Sequence, residues 1–207
     1  PEERYESVDA FVAAAGEVFG AQPRGLDARY TAAENPYQGL RAFGEADAEH
    51  FYGRDTVVEE LLGMLAERRL VVVHGPSGIG KSSVVRAGLV PAVRDGQLPG
   101  SESWVVTDLY PGAYPFEELA AALLGVAVTR PPDLGDELER DELGMARVVK
   151  QILPPGTELL LVVDQFEELF TLTTDEETRR RFLDGLTRLA TDARSRARVV
   201  VTLRADF

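Results

Sequence analysis

The sequence predicts an α/β fold in which a mostly parallel sheet lies between layers of helices. Three observations predict it. Four short apolar segments recur along the chain: Leu70 to His74, Trp104 to Leu109, Leu159 to Asp164 and Arg198 to Leu203. The first and third are nearly continuous apolar runs rather than alternating ones, as strands covered on both faces are. Between the segments lie helical stretches, with connections long enough to cross over and pair the strands in parallel.

The elements follow in order. Residues 7–19 (SVDAFVAAAGEVF) place Val8, Phe11, Val12, Ala15, Val18 and Phe19 at helical spacing, with Ser7 as a cap. Residues 20–36 have no period and carry Gly and Pro breakers, which reads as a linker. A boundary near Asn35 makes residues 1–34 a helix and linker from a preceding module, and 35–207 the main domain. Residues 37–54, rich in aromatics and Gly, read as an ordered lead-in loop. Val58, Leu61, Leu62 and Leu65 share one face of a helix over 55–68, which Asp55 can cap. Further helices are expected at 81–90, 115–124, 142–152 and 175–193. Residues 130–142 (RPPDLGDELERDE) are acidic and contain two prolines, and read as an exposed insertion. No internal repeat occurs.

Composition narrows the function. The 207 residues suffice for one sizeable core. With 35 acidic against 22 basic residues the net charge is -13, a field that repels phosphate backbones and disfavours general nucleic-acid binding. The runs Arg179–Arg181 and Arg194, Arg196, Arg198 read as solvated helix and loop faces. No stretch approaches the ~20 apolar residues of a membrane span. The start PEERYESVDAF lacks the basic and apolar regions of a signal peptide. There is no cysteine, hence neither a disulfide frame nor a thiolate metal site. A cytoplasmic location is the default expectation.

The chemistry concentrates after the first apolar run. Gly75-Pro76-Ser77-Gly78-Ile79-Gly80-Lys81-Ser82 fits G-x-x-x-x-G-K-[ST] between a strand and a helix. A polyphosphate packs several negative charges closely, and a nest of backbone N–H groups satisfies them if the chain wraps tightly. Glycine permits that wrap. The following helix turns its positive end toward the same phosphates. Lys81 adds a charge reaching the β and γ oxygens, and the Ser82 hydroxyl is suited to ligate Mg2+. Ser83 fits equally well as an ordinary helix residue.

The third strand, in LLLVVDQFEE, delivers Asp164 to the carboxyl edge of the sheet, where ligands sit in α/β folds. A carboxylate there can hold Mg2+ through its water shell. Gln165 occupies the next position, where many ATPases carry a water-activating Glu. The carboxylates come later, at Glu167 and Glu168, and either can serve as general base if the turn brings it to the attacking water. For each alone, a carboxylate placed at a helix N-terminus for its dipole is an equally good reading. The last strand ends in Arg204, which is placed either to face a γ-phosphate or to form a surface ion pair.

Together these residues resemble the STAND NTPases, signal-transduction ATPases with numerous domains, and within them the first class of novel STAND NTPases. The resemblance rests on NPYQGLRAF (35–43), FYGRD (51–55), GPSGIGKSSVVRAGLVPAV (75–93), DQFEELF (164–170) and TLRADF (202–207). It implies a P-loop NTPase three-layer sandwich of the ASCE type, truncated after the fourth core strand, plus an N-terminal helix. It also implies an ATP-binding, Mg2+-dependent switch in multidomain bacterial signalling or defence proteins, with nucleotide-dependent oligomerisation and often WD40-type repeats downstream. Carried over by position, Gly75 to Ser82 bind phosphates and Mg2+, and Asp164 is the metal-side acid. Glu167 and Glu168 resemble the displaced acidic pair of the related NACHT class. Arg204 resembles a sensor arginine, and Gly53 and Arg54 resemble a lead-in motif near the adenine. The family's fifth core strand and helical modules have no counterpart here, so the chain reads as a fragment with an open sheet edge beside the first strand. PEERYESVDAFVAAA weakly resembles the closing helix of a protein kinase C-lobe; an unrelated helix ending an upstream module fits it better.

A hydrolysing ATPase switch therefore leads. A non-hydrolysing, nucleotide-gated assembly scaffold is the alternative, motivated by Gln165. A small-molecule phosphotransferase lacks a lid signature, and a GTPase lacks any Asn-Lys-x-Asp guanine motif.

Overall fold

In the computed structural model, residues 41–192 and 194–206 are described. The expected helix at 7–19, the linker at 20–36 and the boundary near Asn35 lie outside the described residues. Four strands, β1 (Leu70–Gly75), β2 (Val105–Leu109), β3 (Leu159–Val163) and β4 (Ala197–Arg204), form one sheet in the order β1-β4-β3-β2. Every pairing is parallel. The last strand is thus inserted between the first and the third, which gathers three carboxyl ends. Gly75 pairs with Arg204, and Val163 with Val201. Asp164, one residue on, therefore comes level with Thr202.

The helices are α1 (Asp55–Glu67), α2 (residues 81–94), α3 (Pro115–Val126), α4 (Leu134–Arg140), α5 (Gly144–Ile152), α6 (Glu168–Thr171) and α7 (Glu176–Thr191). Alternation along the strands splits the core in two. Leu159, Leu161, Val163, Val199 and Val201 pack toward α3, α4, α5 and α7. Leu160, Val162 and Val200 pack toward α1 and α2. All five residues of β3 are buried, as its unbroken apolar run requires. The result is the expected three-layer α/β sandwich.

Four local readings need correction. Residues 130–142 are not simply an exposed insertion. Leu134 and Leu138, one helical turn apart, are buried and turn the acidic residues of α4 outward. A Cβ at Gly144 would stand 2.2 Å from the Glu137 carbonyl, so glycine sets how closely α5 follows α4. The lead-in loop contains a 3-10 helix, Glu45–His50. Asp55 sits in the first turn of α1 rather than capping it, since Arg54 holds the cap position. The helix after the glycine-rich loop does not stop before Pro91 but runs to Arg94 by widening into a π-helix over Val84–Leu89. Pro91 has no N–H to give Ala87, and its ring crowds that carbonyl; the wide turns end where the proline begins.

Two of the arginines read as solvated are structural. Arg196 donates to Pro154 O at 2.6 Å and Lys150 O at 2.7 Å. Arg198 pairs with Glu158 at 2.9 Å and lies 4.9 Å over the Trp104 ring. Among the described residues β1 borders one side of the sheet, where Leu70 and Val72 are 38% and 48% exposed.

Candidate functional site

The site forms where β1 ends. Gly78 (φ 77°) and Gly80 (φ 94°) take left-handed conformations that only glycine adopts without strain, and they curl the segment into a loop. Gly80 is the last residue before α2, and its carbonyl receives Val84 N at 2.9 Å. The amides at the start of α2 have no intrahelical acceptor, and Gly80 to Ser83 line a cleft. Lys81 Nζ donates to Gly75 O at 2.9 Å and Pro76 O at 3.0 Å, so the ammonium is held over the loop. Arg54 reaches the loop from behind, with Nη2 3.5 Å from Ile79 O. Gly53, beside it, has φ 76°.

Asp164 is fully buried at the end of β3. Its Oδ1 accepts from Ser82 Oγ at 2.8 Å, Thr202 Oγ1 at 2.5 Å and Gln165 N at 3.1 Å. Gln165 N also donates to Thr202 Oγ1 at 2.9 Å. Gln165 has φ 52°, a positive φ at a non-glycine residue, directly after the buried acid. The other carboxylate oxygen, Oδ2, is buried without a hydrogen bond. Among the described residues no cluster of three or more His, Asp or Glu could hold a metal by itself. This donor set is one buried carboxylate plus one hydroxyl. It fits Mg2+, which takes one or two protein oxygens and completes its shell with water and phosphate.

The other acids separate. Glu167 is nearly buried, and its Oε2 accepts from Arg204 N at 3.3 Å. Burial pushes the Glu168 carboxyl up; a bond from the Gly112 backbone opposes this, and the charges of Glu167, Asp164 and Glu118 add to it. Glu168 thus engages the loop after β2. Arg204 donates to Asp206 through Nε at 3.1 Å and Nη2 at 2.6 Å, and that pairing raises its pKa and lowers that of Asp206.

A cleft of about 390 Å3 joins these parts. Ser77, Gly78, Gly80, Lys81, Ser82 and Ser83 line it from the loop, and Gln165, Glu167, Thr202 and Arg204 from the strand ends. Arg41, Ala42 and Phe43 close it from the lead-in segment. Phe43 N donates to Ser83 Oγ at 3.1 Å, which ties that segment to α2. Gly75, Pro76, Ile79, Asp164, Glu168, Gly53 and Arg54 do not line the cleft; Asp164 is joined to it through its bonds with the lining residues Ser82, Thr202 and Gln165.

A family model, Novel STAND NTPase 1, matches residues 36–207. The chain belongs to this family. It is a STAND-class P-loop NTPase module. No curated protein matches the chain. Among solved structures, the Aeropyrum pernix ORC2 protein matches in two forms. The ADPNP-ADP complexes give 16% identity and a TM-score of 0.42, covering 75% of this chain and 41% of that one. The ADP form gives 15% and 0.43, covering 75% and 42%. C. elegans PCH-2 gives 12% and 0.37, covering 80% and 38%. The chain thus spans about two fifths of each of these neighbours. Among the described residues no helix is long and apolar enough to cross a membrane.

Within this STAND module, sequence reasoning missed three contributors. Thr202 was visible only as part of TLRADF; its contact with Asp164 depends on β4 lying beside β3. Arg41 to Phe43 stand in NPYQGLRAF, so a signal for them was present. Arg86 is one turn beyond Ser82 on α2, inside GPSGIGKSSVVRAGLVPAV, and its Nε lies 3.4 Å from Asp164 Oδ2, a contact no local pattern announces.

Proposed function

We propose that the chain is the ATP-binding switch module of a multidomain protein, with Mg2+-dependent hydrolysis. The observation that carries the reading is the 2.8 Å bond from Ser82 Oγ to Asp164 Oδ1, beside a glycine loop with Lys81 over it. That contact joins the phosphate side and the metal side of one site. In this reading the loop amides and Lys81 bind the triphosphate, and Ser82 with Asp164 hold Mg2+. When bound, Mg2+ neutralises charge that develops on the phosphate oxygens. Glu167, rather than Glu168, is the general base, because it lines the cleft while Glu168 bonds toward Gly112. Arg204 exchanges Asp206 for the γ-phosphate. Adenine is preferred over guanine, since the chain has no guanine motif, and Arg41 to Phe43 flank the base. Gly53 and Arg54 act indirectly, by bracing the loop at Ile79 O. Family membership supports an oligomerising switch in bacterial signalling or defence, with WD40-type repeats as partner domains.

Phosphate release from ATP, measured for the chain and for Glu167→Gln and Glu168→Gln, tests the assignment. Release lost in Glu167→Gln with ATP binding retained supports it. Loss only in Glu168→Gln overturns the choice of base. The presence of Gln165 where a water-activating Glu often stands favours a second reading, a nucleotide-gated scaffold without hydrolysis. Binding without any release in the chain selects that reading.

A further inference from the structure

Asp164 is bonded unevenly. Its Oδ1 accepts three hydrogen bonds, whereas its Oδ2 is buried and accepts none. The charge facing Oδ2 is Arg86, whose Nε lies 3.4 Å away and is itself buried without a hydrogen bond. Arg86 sits four residues after Ser82, so the same face of α2 presents a hydroxyl to one oxygen of Asp164 and a guanidinium to the other. The guanidinium is committed elsewhere. Its Nη2 donates to Asp108 Oδ2 at 2.6 Å, and it lies 4.8 Å over the Tyr110 ring. Asp108 and Tyr110 stand at the end of β2, on the far side of Asp164 from the glycine loop.

A buried carboxylate needs a counter-charge, and leaving one unpaired is costly. Arg86 supplies that charge, yet it is drawn toward Asp108 and does not close a hydrogen bond on Oδ2. A divalent cation approaching Asp164 meets this positive charge and is repelled by it.

We propose that Arg86 is a built-in counter-ion for Asp164 that competes with Mg2+, and that Asp108 sets how strongly it competes by holding the guanidinium aside. Arg86 is a positioning residue and touches no nucleotide in this scheme. Removing it relieves the repulsion and tightens metal binding. Removing the Asp108 charge frees the guanidinium to settle on Oδ2 and weakens metal binding.

The test is a Mn2+ titration by electron paramagnetic resonance, with ATP present, on the chain and on Arg86→Gln, Asp108→Asn and the double variant. ATP affinity in EDTA reports whether the loop is folded. Arg86→Gln lowers the half-saturating Mn2+ by roughly five- to tenfold, as expected for losing one unit of charge a few ångströms from the ion. Asp108→Asn raises it by a similar factor, and this effect disappears when Arg86 is already Gln. An unchanged or raised midpoint in Arg86→Gln overturns the proposal. So does an Asp108→Asn shift of equal size in both backgrounds, which marks Asp108 as acting on the ion directly. If Arg86→Gln does not fold, Arg86→Met, which keeps an unbranched stem and drops the charge, takes its place in both comparisons. The inference rests on the Mg2+–nucleotide reading. That reading fails if the unaltered chain shows no nucleotide-dependent Mn2+ binding, a result separate from a normal titration that Arg86→Gln leaves unmoved.

Discussion

Replacing Thr202 with valine probes the centre of the site without touching the glycine loop. Thr202 is 1% exposed, and its hydroxyl does two things. It donates to Asp164 Oδ1 at 2.5 Å and accepts Gln165 N at 2.9 Å. Valine keeps the shape and deletes both. A hydrogen bond to a charged partner contributes about 1.5–3 kcal/mol. Gln165 N keeps its 3.1 Å bond to Asp164 Oδ1, so the second loss is partial. The expected cost is about 2 kcal/mol, which for a chain of this size lowers Tm by about 4–8 °C. Urea denaturation measures it, with the slope expected to stay constant while the midpoint falls. Thr202→Ser keeps the hydroxyl and falls less. The reasoning is refuted if Thr202→Val unfolds within about 0.5 kcal/mol of the unaltered chain, or if Thr202→Ser falls as far.

Two further predictions concern packing and pH. A Cβ on Gly88 would lie 2.5 Å from Val58 Cγ2 and 3.3 Å from Phe51 Cε1. Gly88→Ala therefore destabilises by about 1–3 kcal/mol in urea despite the better helix propensity of alanine, and Val58→Ala in the same chain recovers part of that loss. Burial holds the Glu168 carboxyl above its ordinary 4.5. A carboxyl raised on folding binds its proton more tightly in the native state. Its contribution is therefore complete below 4.5 and is lost as pH climbs through the raised value. Glu168→Gln removes that loss, so the fall in urea midpoint from about pH 4 to about pH 7 is smaller than in the unaltered chain. An identical fall in the two proteins contradicts the assignment.

The sheet was legible because its strands are buried on both faces. Five consecutive apolar residues, Leu159 to Val163, admit few other readings. Glycine spacing carried the loop, since Gly78 and Gly80 hold the two positive φ angles the wrap needs. What sequence could not carry is contact across the sheet. Thr202 meets Asp164 because β4 is inserted between β1 and β3, a matter of strand order that no local pattern encodes. Arg86 escaped notice for the same reason: its partners Asp108 and Asp164 come from β2 and β3. The segment around α4 was misjudged through composition. Its acids and prolines outnumber Leu134 and Leu138, yet two leucines one turn apart suffice to seat a short helix. Which of Glu167 and Glu168 faces the cleft depends on the turn after β3. That turn is set by Gln165 at positive φ, a conformation no sequence rule assigns to glutamine.

The central claim is that residues 75–82 hold the triphosphate of a nucleotide. Isothermal titration calorimetry of ATP with Mg2+ against the chain and Lys81→Ala addresses it most directly. Saturable binding at one site per chain, absent in Lys81→Ala while its melting temperature is kept, is the predicted result. Equal affinity in the two proteins would contradict the account.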